Sequence, residues 1–401
     1  MRIIKKNVVP LLVVAGFALL ALSACNNDKA IPLSSGLIDG SNRGQILQST
    51  KVALKDSSAG QVINTQFSST LYVGRLKDLE SRILLRFDTP DLFLDTSNVA
   101  AAKIKLPADS VRGQTGNLEA SVHQITQTWR EDSVKWGDQN FPVTFNPVAL
   151  DRQQVAALKA DTVTFNLTPQ TVAAWFDTAR TKRDTAGVML QAPAATYIKE
   201  FFSRFSTLKQ PYVELTLKRA GKSDTTVRRL ASKSVFVFRR NAPLAAQRIY
   251  AGAGEKFLSS VFFNLYANRP DTIPRSATIS RATLLLDVDA ANSVFVDNDN
   301  TLSLALYRAL DPYKLDTLTV NADSLFTLQI GGVRASDATV EFNVTNVVQA
   351  WVRREPKPED DYFVLLPNFP EIALTRVAFF SKAAGAARAP RLRIEYTTPP
   401  K

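Results

Sequence analysis

The chain repeats itself once, at a distance of about 178 residues, and this internal copy limits its architecture more than any other feature. Leu71-Tyr72-Val73-Gly74 matches Ile249-Tyr250-Ala251-Gly252, and Arg82-Ile83-Leu84-Leu85-Arg86-Phe87 meets Ser260-Val261-Phe262-Phe263-Asn264-Leu265 without a gap. Ala102 to Leu106 pairs with Ala282 to Leu286, and Leu118 to Val122 with Leu302 to Leu306. Val163-Thr164-Phe165-Asn166-Leu167-Thr168 aligns with Val340-Glu341-Phe342-Asn343-Val344-Thr345, each followed by a short apolar stretch ending in Trp175 or Trp351. Phe201-Phe202-Ser203 then meets Phe379-Phe380-Ser381, and Pro211 to Leu217 meets Pro390 to Tyr396. Chance similarity does not keep this order and spacing.

Within each copy, apolar and polar residues alternate with the period of two that a half-buried strand requires. Val213, Leu215 and Leu217 oppose Glu214, Thr216 and Lys218, while Leu392, Ile394 and Tyr396 oppose Arg393 and Glu395. Several such runs, separated by Asp, Asn, Gly and Pro turns, predict an all-β chain of two tandem antiparallel β-sandwich domains, jelly-roll-like, rather than alternating strands and helices. One short helical turn per copy is expected after Thr168 and Thr345, whose hydroxyls suit an N-cap, with Pro169 at the first helical position. Val172, Trp175 and Phe176, and likewise Val347, Val348 and Trp351, fall on one face, so each tryptophan is expected to plug a sandwich end.

The first residues carry a different signal. Arg2, Lys5 and Lys6 precede an apolar run from Val8 to Ala21, too short to span a membrane, which needs about 20 apolar residues. Leu22-Ser23-Ala24-Cys25 then resembles the lipobox of bacterial lipoproteins, and Cys25 is the only cysteine in the chain. The expectation is a signal peptide over 1–25 and lipid on Cys25. Residues 26–45 read as a flexible tether, 46–218 as the first sandwich, 219–232 as an exposed polar linker and 233–401 as the second sandwich. Localisation follows: a bacterial cell envelope, lipid-anchored, at the outer membrane or cell surface. With a single cysteine, no internal disulfide can form, and the folds must rest on their cores.

Lys and Arg total 49 against 37 Asp and Glu, a formal charge of +12, and cleavage of the leader removes three positive charges to leave +9. Export turns a basic balance away from nucleic acid, which is not expected as a partner, and toward acidic polysaccharides or phosphate-bearing lipids.

The repeat is similar to DNRLRE-type modules of secreted bacterial proteins, close to carbohydrate-binding module family 96. The first copy carries the resemblance in Leu71-Tyr72-Val73-Gly74, Ile83 to Asp88 and Trp129-Arg130-Glu131-Asp132-Ser133-Val134-Lys135-Trp136, which follows the family's Trp-x-Glu-x-x-Val-x-Trp. The Thr-capped turn, Phe202-Ser203 and the strand after Pro211 complete it over most of 46–218. The second copy is degenerate, with Leu310-Asp311-Pro312-Tyr313-Lys314 in place of the Trp-Glu motif. The resemblance implies a jelly-roll sandwich with a non-catalytic, glycan-binding or surface-structural role.

Catalysis has few groups to draw on. His123 is the only histidine and lies in an expected strand between apolar neighbours, which reads as an ordinary core or surface residue. Histidine-cysteine zinc chemistry is excluded by count. Asp297-Asn298-Asp299-Asn300 gathers oxygen ligands without the glycine and glutamate of an EF-hand loop, and reads as a plain turn. No metal, cofactor or enzymatic activity is expected. For ligand binding, Trp129 and Trp136 offer indole faces to sugar rings, with Glu131, Arg130 and Lys135 beside them for polar or carboxylated groups; the competing reading is that both tryptophans brace a loop. The leading expectation is a lipid-anchored, non-catalytic envelope protein binding polysaccharide, an acidic glycan preferred. The alternatives are a structural or adhesive protein contacting another protein and, third, a polysaccharide-cleaving enzyme.

Overall fold

A computed structural model describes residues 46–87, 99–137, 140–176, 187–219, 221–265, 273–298, 301–309, 325–353, 362–368 and 373–399. The leader, Cys25 and the tether over 26–45 lie outside the described residues, as do Asp299, Asn300 and Leu310 to Lys314. The chain is all-β, folded into two antiparallel β-sandwiches, each with one short helix.

The first sandwich begins at β3 (Thr70–Leu76), after β1 (Ile46–Val52) and β2 (Lys55–Val62) have been placed elsewhere. Its larger sheet is built from β3, β4 (Leu79–Arg86), β6 (Asn117–Ile125), β7 (Phe145–Ala156), β9 (Val188–Gln191) and β10 (Ile198–Phe202). The order is β10-β3-β4-β9-β6-β7, and β13 (Lys233–Arg240) adds along β4. The facing sheet runs β12-β11-β5-β8, from β5 (Val99–Pro107), β8 (Thr162–Leu167), β11 (Tyr212–Arg219) and β12 (Lys222–Leu230). Inward residues of both sheets, among them Ile83, Val122, Ile104, Phe165 and Val213, fill one core. The alternation foreseen in β11 is realised: Val213 and Leu215 are buried while Tyr212, Glu214 and Thr216 face outward.

The second sandwich repeats this plan with β14 (Arg248–Ala253), β15 (Glu255–Phe262), β16 (Thr278–Asp287), β17 (Leu302–Ala309), β18 (Leu325–Val333), β19 (Thr339–Asn343), β20 (Tyr362–Pro367), β21 (Thr375–Phe380) and β22 (Arg391–Thr397). One sheet runs β1-β22-β16-β19, another β18-β17-β20-β15-β2, and β14 pairs β21. Even a side-chain hydrogen bond recurs: Ser81 Oγ donates to Tyr72 O at 2.8 Å in the first copy, and Ser259 Oγ to Tyr250 O at 2.5 Å in the second.

The pairing corrects the expected boundaries. Residues 219–232 are not an exposed linker, because β12 forms a seven-pair ladder with β11, from Tyr212↔Leu230 to Arg219↔Lys222. Nor do the sandwiches separate at 233, since β13 pairs β4 from Lys233↔Arg86 to Arg240↔Leu79. Conversely β1 pairs β22 and β2 pairs β15, so the first two strands among the described residues complete the second sandwich. The pseudo-equivalent residues Ala53 and Ala231 mark the exchange: each is buried, and their backbone N–H groups donate to Pro390 O and Pro211 O. Each copy is therefore closed by the leading strands of the other.

The sandwiches also interlock. Asp78, in the β3-β4 turn, holds Arg376 of β21 at 2.7 and 2.8 Å, and Lys77 Nζ donates to Ala290 O and Ala291 O at 3.0 Å. In return Val294, Val296 and Leu374 are part of the first core.

The helices α1 (Pro169–Phe176) and α2 (Thr345–Arg353) sit at the expected places. Thr168 Oγ1 accepts from Thr171 N at 3.3 Å, as an N-cap should. Thr345 departs from the expectation. It lies inside α2, Asn343 Oδ1 accepts its N–H at 3.1 Å, and its own hydroxyl accepts from Ala282 N of β16 at 2.9 Å. Both tryptophans are buried, Trp175 against Phe87 and Trp351 against Phe363.

Candidate functional site

The Trp-Glu motif lies in the loop between β6 and β7 and folds onto the outer face of the larger sheet of the first sandwich. Trp129, Val134 and Trp136 pack there on Leu84, Met189, Val235 and Val237, forming a small second core. Trp129 and Trp136 are 7 % and 3 % exposed, so neither indole presents a face to a sugar ring. The expectation of a stacking platform at these two residues is corrected to a brace. Trp136 is flanked by the guanidinium groups of Arg82 and Arg239, each 4.5 Å from its ring centroid, and both arginines pair with Glu80.

Glu131 is the polar centre of the brace. Its Oε1 accepts from Arg204 Nε at 3.0 Å and from the backbone N–H of Ser234 at 2.8 Å, while Oε2 accepts from Arg204 Nη2 at 2.8 Å. The buried carboxylate thus ties the loop to β13, the strand carried over from the second copy. Arg130 pairs with Asp132 at 2.6 Å on the surface, and Lys135 is exposed. The five residues are close together, but only Arg130 and Lys135 are open to a ligand.

His123 is 2 % exposed, with Nδ1 at 2.9 Å from Asn146 O and Nε2 at 2.9 Å from Ser121 Oγ. Burial holds it below the ordinary imidazole range. No carboxylate is among its hydrogen-bond partners in these contacts, and its role is internal support.

A better ligand surface occupies the outer face of the smaller sheet in the first sandwich. The registers place Arg228, Glu214, Lys103 and Asn166 in one row across β12, β11, β5 and β8. The neighbouring row is Leu230, Tyr212, Lys105 and Thr164. Outward residues on adjacent strands lie side by side at the inter-strand spacing, so this face sets three cations and the Glu214 carboxylate beside one aromatic ring. At its edge, Pro107, Thr162, Lys209, Tyr212, Arg228 and Leu230 line an open groove of about 370 Å³. The Arg228 guanidinium lies 5.2 Å from the Tyr212 ring centroid and also holds Glu214 at 3.0 Å. Elsewhere on the first sandwich, Phe67 and Phe205 form an exposed ring pair with centroids 5.6 Å apart.

Sequence reasoning missed this face because its edge, with Arg228 and Leu230, comes from β12, read as a linker. The visible signal was Arg228 alternating with Leu230 opposite the alternating run of β11. The equivalent face in the second sandwich has Arg391 where the first has Tyr212, and that arginine is tied to Asp287 at 2.7 Å.

A second concavity, of about 380 Å³, lies on the seam between the sandwiches, with Tyr72, Asp109 and Glu200 on one wall and Thr301, Ser303 and Thr375 on the other. Burial, then Asp297 and Asp109, pushes the Glu200 carboxyl up to about 8. The adjacent Lys199 points into the first sandwich, donating to Ala157 O at 2.8 Å and Lys159 O at 2.7 Å, and burial brings it down to about 8. Among the described residues, no three His, Cys, Asp or Glu side chains converge as metal ligands, and no helix is long and apolar enough to cross a membrane.

No family model matches the chain, and no curated protein matches it. Solved structures with which it shares similarity include a chain named BspA_C_WT, at 7% identity and a TM-score of 0.18, covering 85% of this chain and 91% of that one. The tandem CBM22-1-CBM22-2 domain of Xyn10C from Paenibacillus barcinonensis follows at 7% identity and a TM-score of 0.15, over 88% and 98%. The M60 catalytic domain with CBM51-1 and CBM51-2 of ZmpB from Clostridium perfringens aligns at 6% identity and a TM-score of 0.15, over 86% and 38%. At these TM-scores the fold assignment stands on the strand pairing of the chain itself.

Proposed function

We propose that this is a non-catalytic, lipid-anchored protein of the bacterial envelope that holds an acidic polysaccharide on the outer face of the β12-β11-β5-β8 sheet. The observation that carries the reading is the pair of rows across that face, with Arg228, Lys103 and Lys105 beside the half-exposed ring of Tyr212. Carboxylated sugars present regularly spaced charges for the cations, and their CH faces can stack on the tyrosine. A sheet face suits an extended polymer better than an enclosed pocket does. The formal +9 left after cleavage of the leader, which removes Arg2, Lys5 and Lys6 from the +12 of the whole chain, adds long-range attraction to polyanions. Anchoring through Cys25, and membership of the DNRLRE-type modules, rest on the sequence motifs.

Affinity electrophoresis through alginate or pectin at low salt tests this. Retardation of the native chain, relieved by about tenfold or more in a Lys105→Ala/Tyr212→Ala/Arg228→Ala variant that unfolds at the native temperature, is expected. Equal mobility of native and variant protein in every acidic polymer refutes it.

A second reading, docking of a protein partner, is favoured by one feature, the exposed apolar group of Phe67, Phe205 and Leu208, the last 78 % exposed. Crosslinking in cells distinguishes the two: a discrete protein adduct lost in Phe67→Ser/Leu208→Ser supports docking, and adducts to polysaccharide alone reject it.

A further inference from the structure

We propose that the seam cavity is a low-affinity site for a hard divalent cation of calcium type, held by Glu200 and Asp109 and joining the two sandwiches. Three observations converge on it. Glu200 is 7 % exposed and lines the cavity, and among the described residues its Oε1 has no hydrogen-bond partner. An orphaned carboxyl oxygen in such a position costs free energy that a ligand would recover, and a divalent cation would do so by displacing the proton that burial and the neighbouring acids hold on Glu200. Second, Asp109 lines the same wall, and its backbone N–H donates to Glu200 O at 3.0 Å, which fixes the two carboxylates as neighbours. Third, among the described residues no cationic side chain lines the cavity, and the polar side chains that do all offer oxygen: Ser69, Thr70, Tyr72, Thr301, Ser303 and Thr375 complete the set.

The chemistry of the lining selects the ion. An all-oxygen set favours calcium or magnesium over zinc or copper, which take imidazole and thiolate. Calcium tolerates irregular geometry and six to eight ligands, whereas magnesium demands a near-ideal octahedron. With two carboxylates rather than three, the ion keeps several waters, for which a cavity of about 380 Å³ leaves room. The expected affinity is that of extracellular modules, a Kd of ~0.1–1 mM. The site spans both sandwiches, since Thr301, Ser303 and Thr375 come from the second, so the ion would bind the folded pair and neither copy alone.

Terbium luminescence and thermal unfolding of the full chain, after EDTA treatment, test this. Tyr72 lies on the cavity wall and can sensitise a bound terbium ion, so excitation of tyrosine should give saturable emission that calcium displaces with a midpoint of ~0.1–1 mM. Calcium at 5 mM should raise the unfolding midpoint by about 2 °C. Glu200→Gln should abolish both effects, Asp109→Asn should weaken terbium binding by about tenfold or more, and Glu119→Gln, on the distant β6 surface, should change neither. Absence of calcium-displaceable emission in the native chain, or its persistence in Glu200→Gln, overturns the proposal. Emission is read on the folded protein, so a change in stability alone cannot mimic it.

Discussion

Replacing Glu131 by alanine separates a brace from a binding residue, and its cost can be worked from three contacts. The carboxylate receives Arg204 Nε at 3.0 Å, Arg204 Nη2 at 2.8 Å and Ser234 N at 2.8 Å. The arginine side chain is 30% exposed and regains water when its partner is lost, so the bidentate pair is worth less than the 3–5 kcal/mol typical of breaking a fully buried one. The Ser234 N–H is different. Ser234 is 0 % exposed, and its amide would be left without an acceptor at about 1–3 kcal/mol. Together these predict a loss of ~2–4 kcal/mol, and at about 2–4 °C per kcal/mol for a domain of this size the unfolding midpoint should fall by ~5–15 °C. Glu131→Gln keeps one acceptor oxygen for Ser234 and should lose about half as much. Calorimetry of the two variants beside the native chain, with electrophoresis through acidic polymers below the new midpoints, is the assay. A change under ~0.5 kcal/mol, or loss of polymer retention with an unchanged midpoint, would refute the brace.

Further outcomes follow from other parts of the fold. Glu200 sits above its ordinary range, at about 8, so between its unfolded value of 4.5 and about 8 the folded chain binds the extra proton, and stability falls as pH rises through that window. Lys199, lowered from 10.5 to about 8, makes the unfolded chain the better proton binder between about 8 and 10.5, so its contribution rises with pH there. Denaturant melts in EDTA should therefore show a minimum near pH 8, with slopes of no more than ~1.4 kcal/mol per pH unit per group, and Glu200→Gln should flatten the acid-side limb; an unaltered limb in that variant contradicts the assignment. Gly187 has φ of +83° and a Cβ there would lie 2.1 Å from Leu85 O, whereas Gly116 has φ of +92° and open space around it. Gly187→Ala should cost ~2–4 kcal/mol and Gly116→Ala only about 1, measured by urea titration, and equal costs would show that the close approach is absent. Deleting residues 1–62 removes β1 and β2, and amide exchange in β15 and β22 should accelerate by at least ~10-fold, or ~1.4 kcal/mol, while β5 and β8 stay protected; unchanged protection of β22 would speak against the strand exchange.

The repeat made the strand inventory legible, because like sequences must form like strands, and the alternation in β11 and β22 assigned their inward faces residue by residue. Which copy each strand completes was not legible. Alignment pairs Ala53 with Ala231 but is silent on whether their strands close their own sandwich or the other. The misread linker has a physical cause: β12 is an edge strand with no fully buried residue, held by its ladder with β11 rather than by apolar contact, so Lys222 to Leu230 lacks the hydrophobic signal that sequence reading depends on. β2 is polar for the same reason, its Ser57 and Ser58 meeting Ser260 and Ser259 across the ladder at 2.8 and 2.7 Å. At the Trp-Glu motif, one pattern serves two purposes. Two indoles with a glutamate between them can stack a sugar or cover a sheet, and only the apolar outer face of β4, β9 and β13 decides for the second.

On the proposed function, the exchange of leading strands would give the two copies different duties. The ladder begins at Ile46↔Thr397, so both ends of the described chain meet at one edge of the second sandwich. A tether from Cys25 would enter there, and its roughly 20 residues could extend ~70 Å at about 3.3–3.6 Å each. Any tension on such an anchor would be taken first by β1 and β2, where 15 paired residues in two ladders, not a buried apolar wedge, resist it. The first sandwich is closed by β12 and β13, which follow β11 directly in the chain and lie beyond the path of that tension. It is also the copy that keeps Tyr212 on its cationic face, where the second has Arg391 locked to Asp287. Anchorage through the second copy and ligand holding on the first would leave the binding face undisturbed by load, provided the seam formed by Asp78, Arg376 and the cavity around Glu200 stays closed.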